Sequence, residues 1–188
     1  TKLGAGKLPV SVKTRIGYDT IITKQWISHL LKAQPAVITV HGRTRKEMSF
    51  APVHWDEIAR AAVLAKKYGT RTSRTLIIGN GDIKNLAEAK EKAATYGLDG
   101  VMVGRAFIGN PWFFSAKKIA GDISVEEKIR VMLEHTALFV ELFHPDLSKN
   151  PSWKHFDTMK KHYKAYVSRF SGAARIRAKL MEAKSAKE

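Results

Sequence analysis

Cysteine is absent from all 188 residues. That excludes disulfides, thiolate metal ligands and any cysteine nucleophile supplied by this chain. No apolar run approaches the ~20 residues needed to span a bilayer. The opening "TKLGAGKLPV" lacks the apolar stretch of a signal peptide. A soluble, cytoplasmic protein is therefore expected, with no membrane partner. Acidic residues are scarce as well: 17 Asp and Glu stand against 33 Lys and Arg, a formal charge of +16. A positive field of that size attracts polyanions, nucleic acid above all. The glycine spacing of "GVMVGRAFIG" is not that of a dinucleotide fingerprint. Neither metal-ligand histidine spacing nor a carboxylate pair suited to glycoside chemistry is evident, so no metal is expected.

What is present is a regular alternation. "PVSVK" (9–13), "AVITV" (36–40), "TLIIG" (75–79) and "DGVMVG" (99–104) are short apolar runs that predict buried strands. Between them, residues 20–34, 53–69 and 83–97 carry apolar residues at helical spacing, and the last two segments close on Gly69 and Gly97. Continuous apolar strands separated by helices suit a parallel sheet covered on both faces. The fold class expected is α/β, the second half of a TIM (β/α)8 barrel, because four βα units supply half of its strands. Two open strand edges would remain, so either a first half precedes this segment or two copies associate. The first option is favoured by the non-Met start.

After about residue 122 the strand pattern stops. "SVEEKIRVMLEHTALFVELF" (124–143) opens on the Ser124/Glu127 capping-box pattern, with Ile129, Met132, Leu133, Thr136, Phe139, Val140 and Phe143 as its stripe. Residues 153–170 place Phe156, Met159, Tyr163, Tyr166, Val167 and Phe170 on one face, and a last helix holds Ile176 and Leu180. The expected organisation is a barrel half over 1–122 and a small all-α domain over 123–188. From His144 onward there are 11 Lys and Arg against 4 Asp and Glu.

Polar and glycine residues gather at the carboxyl ends of the strands, the face where (β/α) folds build active sites. "GNGDI" ends the third strand, and Gly104-Arg105 ends the fourth. Gly81 and Gly104 would let backbone N–H groups approach an anion closely. Arg105 would add a charged fork for phosphate. Lys13, expected to end the first strand, could anchor a ring or a phosphate; His41 could hold a ligand or move a proton. Arg43 and Arg45 read as exposed loop cations that meet an anionic substrate or water. In the tail, Lys160, Lys161 and Lys164, with Arg175, Arg177 and Lys179, form a positive strip suited to a nucleic-acid backbone.

Together, "PVSVKTRIGYD", "ITVHGRTRKEMS", "IIGNGDI", "DGVMVGRAFIGNPWFF" and "FDTMKKHYKAYVSRFSGAARIRAKLMEA" resemble one family closely: the flavin-dependent tRNA-dihydrouridine synthases, in their bacterial form. The resemblance implies an FMN-binding barrel followed by a tRNA-gripping helical domain. It also implies NADPH as reductant and tRNA uridine, reduced at C5–C6, as substrate. It assigns Lys13 and His41 to the flavin ring. Asn80, Gly81 and Asp82 go to the ribityl-phosphate end, and Gly104 and Arg105 to the phosphate. RNA contacts fall to Arg43, Arg45, Lys160, Lys161, Lys164, Arg175 and Arg177. The family's proton donor is a cysteine in the first half of the barrel, so this segment alone is expected to bind FMN poorly and not to catalyse. Two other classes compete: a phosphate-binding barrel enzyme of different chemistry, and a non-catalytic RNA-binding fragment.

Overall fold

The structure, a computed structural model, describes residues 8–69, 74–115, 122–143 and 156–188. The chain divides into two compact units, Thr1–Ala106 and Phe107–Glu188. The division thus falls ahead of residues 107–122, which the sequence pattern had grouped with the α/β half.

The first unit alternates β1 (Ser11–Arg15), α1 (Thr23–Lys32), β2 (Val37–His41), α2 (Trp55–Tyr68), β3 (Leu76–Asn80), α3 (Leu86–Thr95) and β4 (Gly100–Met102). The four strands form one parallel sheet in sequential order. Side chains alternate faces along each strand. Ile38, Val40 and Ile77 are fully buried on one face, in a core that also takes Ile27 and Leu31 of α1 and Ile58, Ala61, Ala62 and Ala65 of α2. The other face keeps Ser11, Lys13, Leu76 and Met102 exposed.

At the amino-terminal end of the sheet, Asp99 accepts from the Arg74 guanidinium and from the Ile77 backbone N–H at 2.8 Å. This clamp ties the entries of β3 and β4 together. Asn85 caps α3 by accepting from Glu88 N–H at 2.8 Å. Gly97, just beyond α3, takes φ +60, as an αL helix stop requires. Gly69 caps α2 in an extended conformation (φ −117) instead.

The second unit contains α4 (Val125–Phe143), a 3₁₀ turn (Phe156–Met159), α5 (Lys160–Tyr166) and α6 (Ala173–Glu182). Ser124 Oγ accepts from Glu127 N–H at 3.1 Å, the forward half of the expected capping box. Met132, Phe139, Phe156, Met159, Tyr163, Tyr166 and Val167 form its core. Leu133, expected on the stripe of α4, is exposed instead. The predicted helix over 153–170 is broken up. Residues 153–155 lie outside the described residues, and α5 ends at Tyr166, with Val167 at φ −88, ψ 72 as its C-cap. No helix among the described residues is long and apolar enough to cross a membrane.

Candidate functional site

Register determines what the strand ends bring together. β1 runs two residues further than its apolar run predicts, so Lys13 lies mid-strand and Arg15 ends it. Arg15 pairs in register with His41, His41 with Asn80, and Asn80 with Met102. One row across the carboxyl ends of the sheet therefore carries a guanidinium, an imidazole and an amide. Lys13 sits two residues back, on the same face of the sheet. Asn80 Nδ2 donates to Met102 O at 2.9 Å, tying β3 to β4 at this end.

His41 is half-buried, and its pKa is lowered to about 4 by burial and then by the charges of Arg15, Lys13 and Arg43. At neutral pH it is an uncharged imidazole among cations. It can exchange hydrogen bonds with a polar heteroaromatic ring without adding charge.

Asp82 is at the centre of the charge network. Its carboxylate accepts from both Nη atoms of Arg43 and from Arg105 Nη2. The Arg43 hydrogen bond is the main reason its pKa falls to about 2. Arg43 also donates through Nε to Ala51 O at 2.6 Å and is only 3% exposed. The expectation of an exposed, RNA-facing Arg43 is corrected here: its fork is spent inside the unit, where it ties the loop after β2 to the turn after β3. Asp82 likewise puts its oxygens on two guanidinium groups, and it holds a left-handed φ of +46. Arg105, by contrast, is 71% exposed and presents the free side of its fork to solvent.

The glycines at the end of β3 have a packing explanation. A Cβ on Gly79 would come within 2.7 Å of Leu98 Cδ1 and 3.0 Å of the Trp55 ring. At Gly81, which has φ +147, it would meet the Val53 methyls at 2.7 Å. Both positions need glycine so that neighbouring side chains of their own unit can pack close, whatever binds outside. Gly104 is different: a Cβ there would meet nothing within 4 Å, so its backbone borders open space.

The loop after β2 is braced from several sides. Thr44 N–H donates to Glu47 Oε2 at 2.7 Å, and Glu47 N–H returns to Thr44 Oγ1 at 3.2 Å. Glu47 also holds His54 Nε2 at 2.8 Å. Arg15 Nη1 donates to Thr44 O at 2.8 Å. Glu47 was not singled out from the sequence, and Arg15 and His54 were given no site role there. The Thr44-x-x-Glu47 spacing was the available signal, since it is the capping-box pattern. Arg45 is exposed, as expected.

In the helical unit the expected RNA-facing cations separate into two groups. Lys161, Lys164 and Arg175 are exposed. Lys160 is bonded to Asp157 at 2.7 Å and is 24% exposed. Arg177 donates to Val167 O at 2.8 Å and is partly buried. Among the described residues, no group of three or more His, Asp or Glu is placed to hold a metal ion.

Comparison with known proteins places these features in a family. The model of the dihydrouridine synthase family matches residues 3–188. "Probable tRNA-dihydrouridine synthase" of Staphylococcus epidermidis (strain ATCC 35984) is 36% identical over 185 residues, covering 98% of this chain and 53% of the relative. The protein of the same name in Staphylococcus aureus (strain MRSA252) is 35% identical, with the same coverage. "Probable tRNA-dihydrouridine synthase 2" of Bacillus subtilis (strain 168) is 34% identical, covering 98% of this chain and 54% of the relative. The chain thus spans about half the length of the curated relatives it matches.

Proposed function

The chain belongs to the dihydrouridine synthase family, and from that premise we propose that it is the carboxyl-terminal part of an FMN-dependent, cytoplasmic tRNA-dihydrouridine synthase that uses NADPH as reductant. The sheet would be the second half of a TIM barrel. An all-parallel sheet is ordinarily covered on both faces, and this one leaves Leu76 and Met102 exposed on the face opposite its helices.

The observation that carries the reading is the row of Arg15, His41 and Asn80 at the carboxyl ends of three adjacent strands, with His41 held neutral by burial and by the cations around it. That donor set fits FMN. Lys13, His41 and Asn80 would hold the ring and ribityl groups. The open backbone at Gly104 and the exposed fork of Arg105 would receive the phosphate. Gly81 and Asp82 support this end indirectly, Gly81 by letting Val53 pack close and Asp82 by restraining Arg105. When bound, FMN supplies the hydride that saturates the uracil C5–C6 bond. This chain's share is to bind and orient: the cations around His41 suit the electron-rich end of a reduced ring, and the neutral imidazole adds a hydrogen bond without competing for a proton. The family's cysteine acid is not among these 188 residues. Lys161, Lys164, Arg175 and Arg45 would hold the tRNA backbone, and the target base would leave its stack to reach the flavin.

The test is the absorption spectrum of the intact purified protein, followed by exchange with Arg105→Ala. A flavin band that is weakened or lost in the variant supports the assignment. A colourless protein that takes up no FMN overturns it.

A further inference from the structure

Two histidines of the helical unit meet across a pair of helices. His135 lies on α4 between Glu134 and Thr136, and His162 on α5 between Lys161 and Tyr163. Both are partly buried. Their rings pack edge to face, with centroids 4.8 Å apart and planes at 69°. Tyr166, one turn further along α5 and 4% exposed, sets its ring 6.1 Å from that of His135 and its Oη 3.4 Å from His135 Nδ1. On the same helix pair, the buried hydroxyls of Thr136 and Tyr163 share a hydrogen bond at 3.0 Å. α5 has only seven residues, too few to be stable on its own hydrogen-bond ladder. Its contacts with α4 and with the apolar core keep it seated.

The contacts of the histidine pair suit neutral rings. Two imidazolium groups at that separation would repel each other where water screens them poorly. Burial, followed by the Glu134 charge, raises the pKa of Tyr166 and keeps it a phenol. Its O–H can donate to His135 only while Nδ1 carries no proton. The surrounding charges give a protonated pair little help. His162 is disfavoured as a cation first by burial, then by His135 and by Lys161 beside it. On α4, Glu134 is 61% exposed and is approached by Arg130 at 3.5 Å. At the 3₁₀ turn, Asp157 is bonded by Lys160 at 2.7 Å. From α6, Arg177 donates to Val167 O, next to Tyr166, and so brings another cation. A histidine that resists the proton when folded contributes stability that is complete above about pH 6.5 and is lost as pH falls below it.

We propose that the His135–His162 pair, with Tyr166, is an acid-sensitive latch: the neutral rings hold α5 on α4, and protonation of the pair releases α5 together with Lys161 and Lys164. The latch belongs wholly to the helical unit, so it does not depend on what covers the open strand edges. Its consequence for RNA rests on the tRNA reading above. Acid adds positive charge, which by itself would strengthen binding to a polyanion. Release of α5 works in the opposite direction, by freeing the lysines from a fixed surface.

Two measurements on the intact protein test it. In the first, amide hydrogen exchange of α5 peptides is followed by mass at about pH 7.5 and about pH 5.5 and corrected for the intrinsic rate. Protection of α5 should fall about tenfold between the two. The fall should shrink in His162→Gln and vanish when His135→Gln is added. Equal protection at both pH values in the wild type, or an undiminished fall in the double variant, would overturn the proposal. In the second, tRNA affinity is measured at the same two pH values and one salt concentration. Wild type and double variant should bind alike at the higher pH, and the wild type should bind several-fold more weakly than the variant at the lower. Tighter acid binding by the wild type would mean that the imidazolium groups grip RNA directly, and would overturn the latch. If no tRNA binds at either pH, the tRNA reading falls, and the exchange result still decides the latch.

Discussion

The two units handle positive charge in opposite ways. The α/β unit carries 18 Lys and Arg against 8 Asp and Glu, and the helical unit 15 against 9, so basicity is not a property of the tail alone. In the α/β unit, key guanidinium groups are turned inward: Arg43 holds Asp82, Arg74 grips Asp99, and Arg15 bonds the loop after β2, while Arg105 reaches Asp82 from the exposed side. In the helical unit, Lys161, Lys164 and Arg175 face solvent around an aromatic core. An inward charge holds loops in place and is costly to unpair, whereas an outward one is free to meet a ligand and contributes little to stability. Removing an inward charge should therefore destabilise the first unit, and removing an outward one should weaken RNA binding in the second.

The largest expected effect is at Asp82. Asp82→Asn keeps a side chain that tolerates the left-handed backbone but leaves the Arg43 guanidinium, 3% exposed, without its counter-charge. A loss of about 3 kcal/mol is expected in denaturant unfolding of the α/β unit, with the helical core unaffected. Unfolding indistinguishable from wild type would show that the inward network is ornamental, and the contrast between the units would collapse.

Acid should separate the units next. The pKa of His41 is lowered to about 4 in the folded state, so the unfolded chain takes up a proton first as pH falls. The stability tied to neutral His41 is complete above about pH 6.5 and is lost as pH drops from there to about 4. After allowance for solvent screening this is about 2 kcal/mol. Asp82 acts in a lower window: its contribution is complete above about pH 3.8 and is lost on approach to 2. His41→Gln should flatten the upper part of the acid profile and leave the lower part intact. In the helical unit, burial, His135 and Lys161 also lower the pKa of His162. His162→Gln is the matching control, because it should alter the helical unit alone.

The division of labour was only partly legible in the sequence. Short apolar runs located all four strands, since burial is a local pattern. β1 was placed two residues early because Thr14 and Arg15 look like loop residues until their pairing with Val40 and His41 is known. Arg43 read as an exposed loop cation because its partner lies 39 residues away, and no local pattern reports a pair at that distance. The glycines of "GNGD" suggested clearance for a ligand, yet Leu98, Trp55 and Val53 fill the space their side chains would need. Composition showed how much charge the chain carries. Only the fold shows which charges are spent on holding it together.

On the outward side, replacing Lys161 and Lys164 together with Ala should leave unfolding within about 0.5 kcal/mol of wild type. It should lower the salt slope of tRNA binding by about one per lysine that meets a phosphate. Lys160→Ala should change that slope less, because Asp157 already occupies the ammonium.

The smallest effect makes the finest distinction, between two arginines two residues apart on α6. Arg177 donates to Val167 O, the carbonyl of the residue that caps α5; Arg175 is exposed. Arg177→Ala should therefore cost about 1 kcal/mol of helical-unit stability and leave the salt slope of tRNA binding nearly unchanged. Arg175→Ala should do the reverse. If instead both variants lower the slope equally and neither affects stability, Arg177 is available to RNA in solution. The rule that a cation bonded to the backbone is withheld from the ligand would then fail in the helical unit, where the surface is otherwise open.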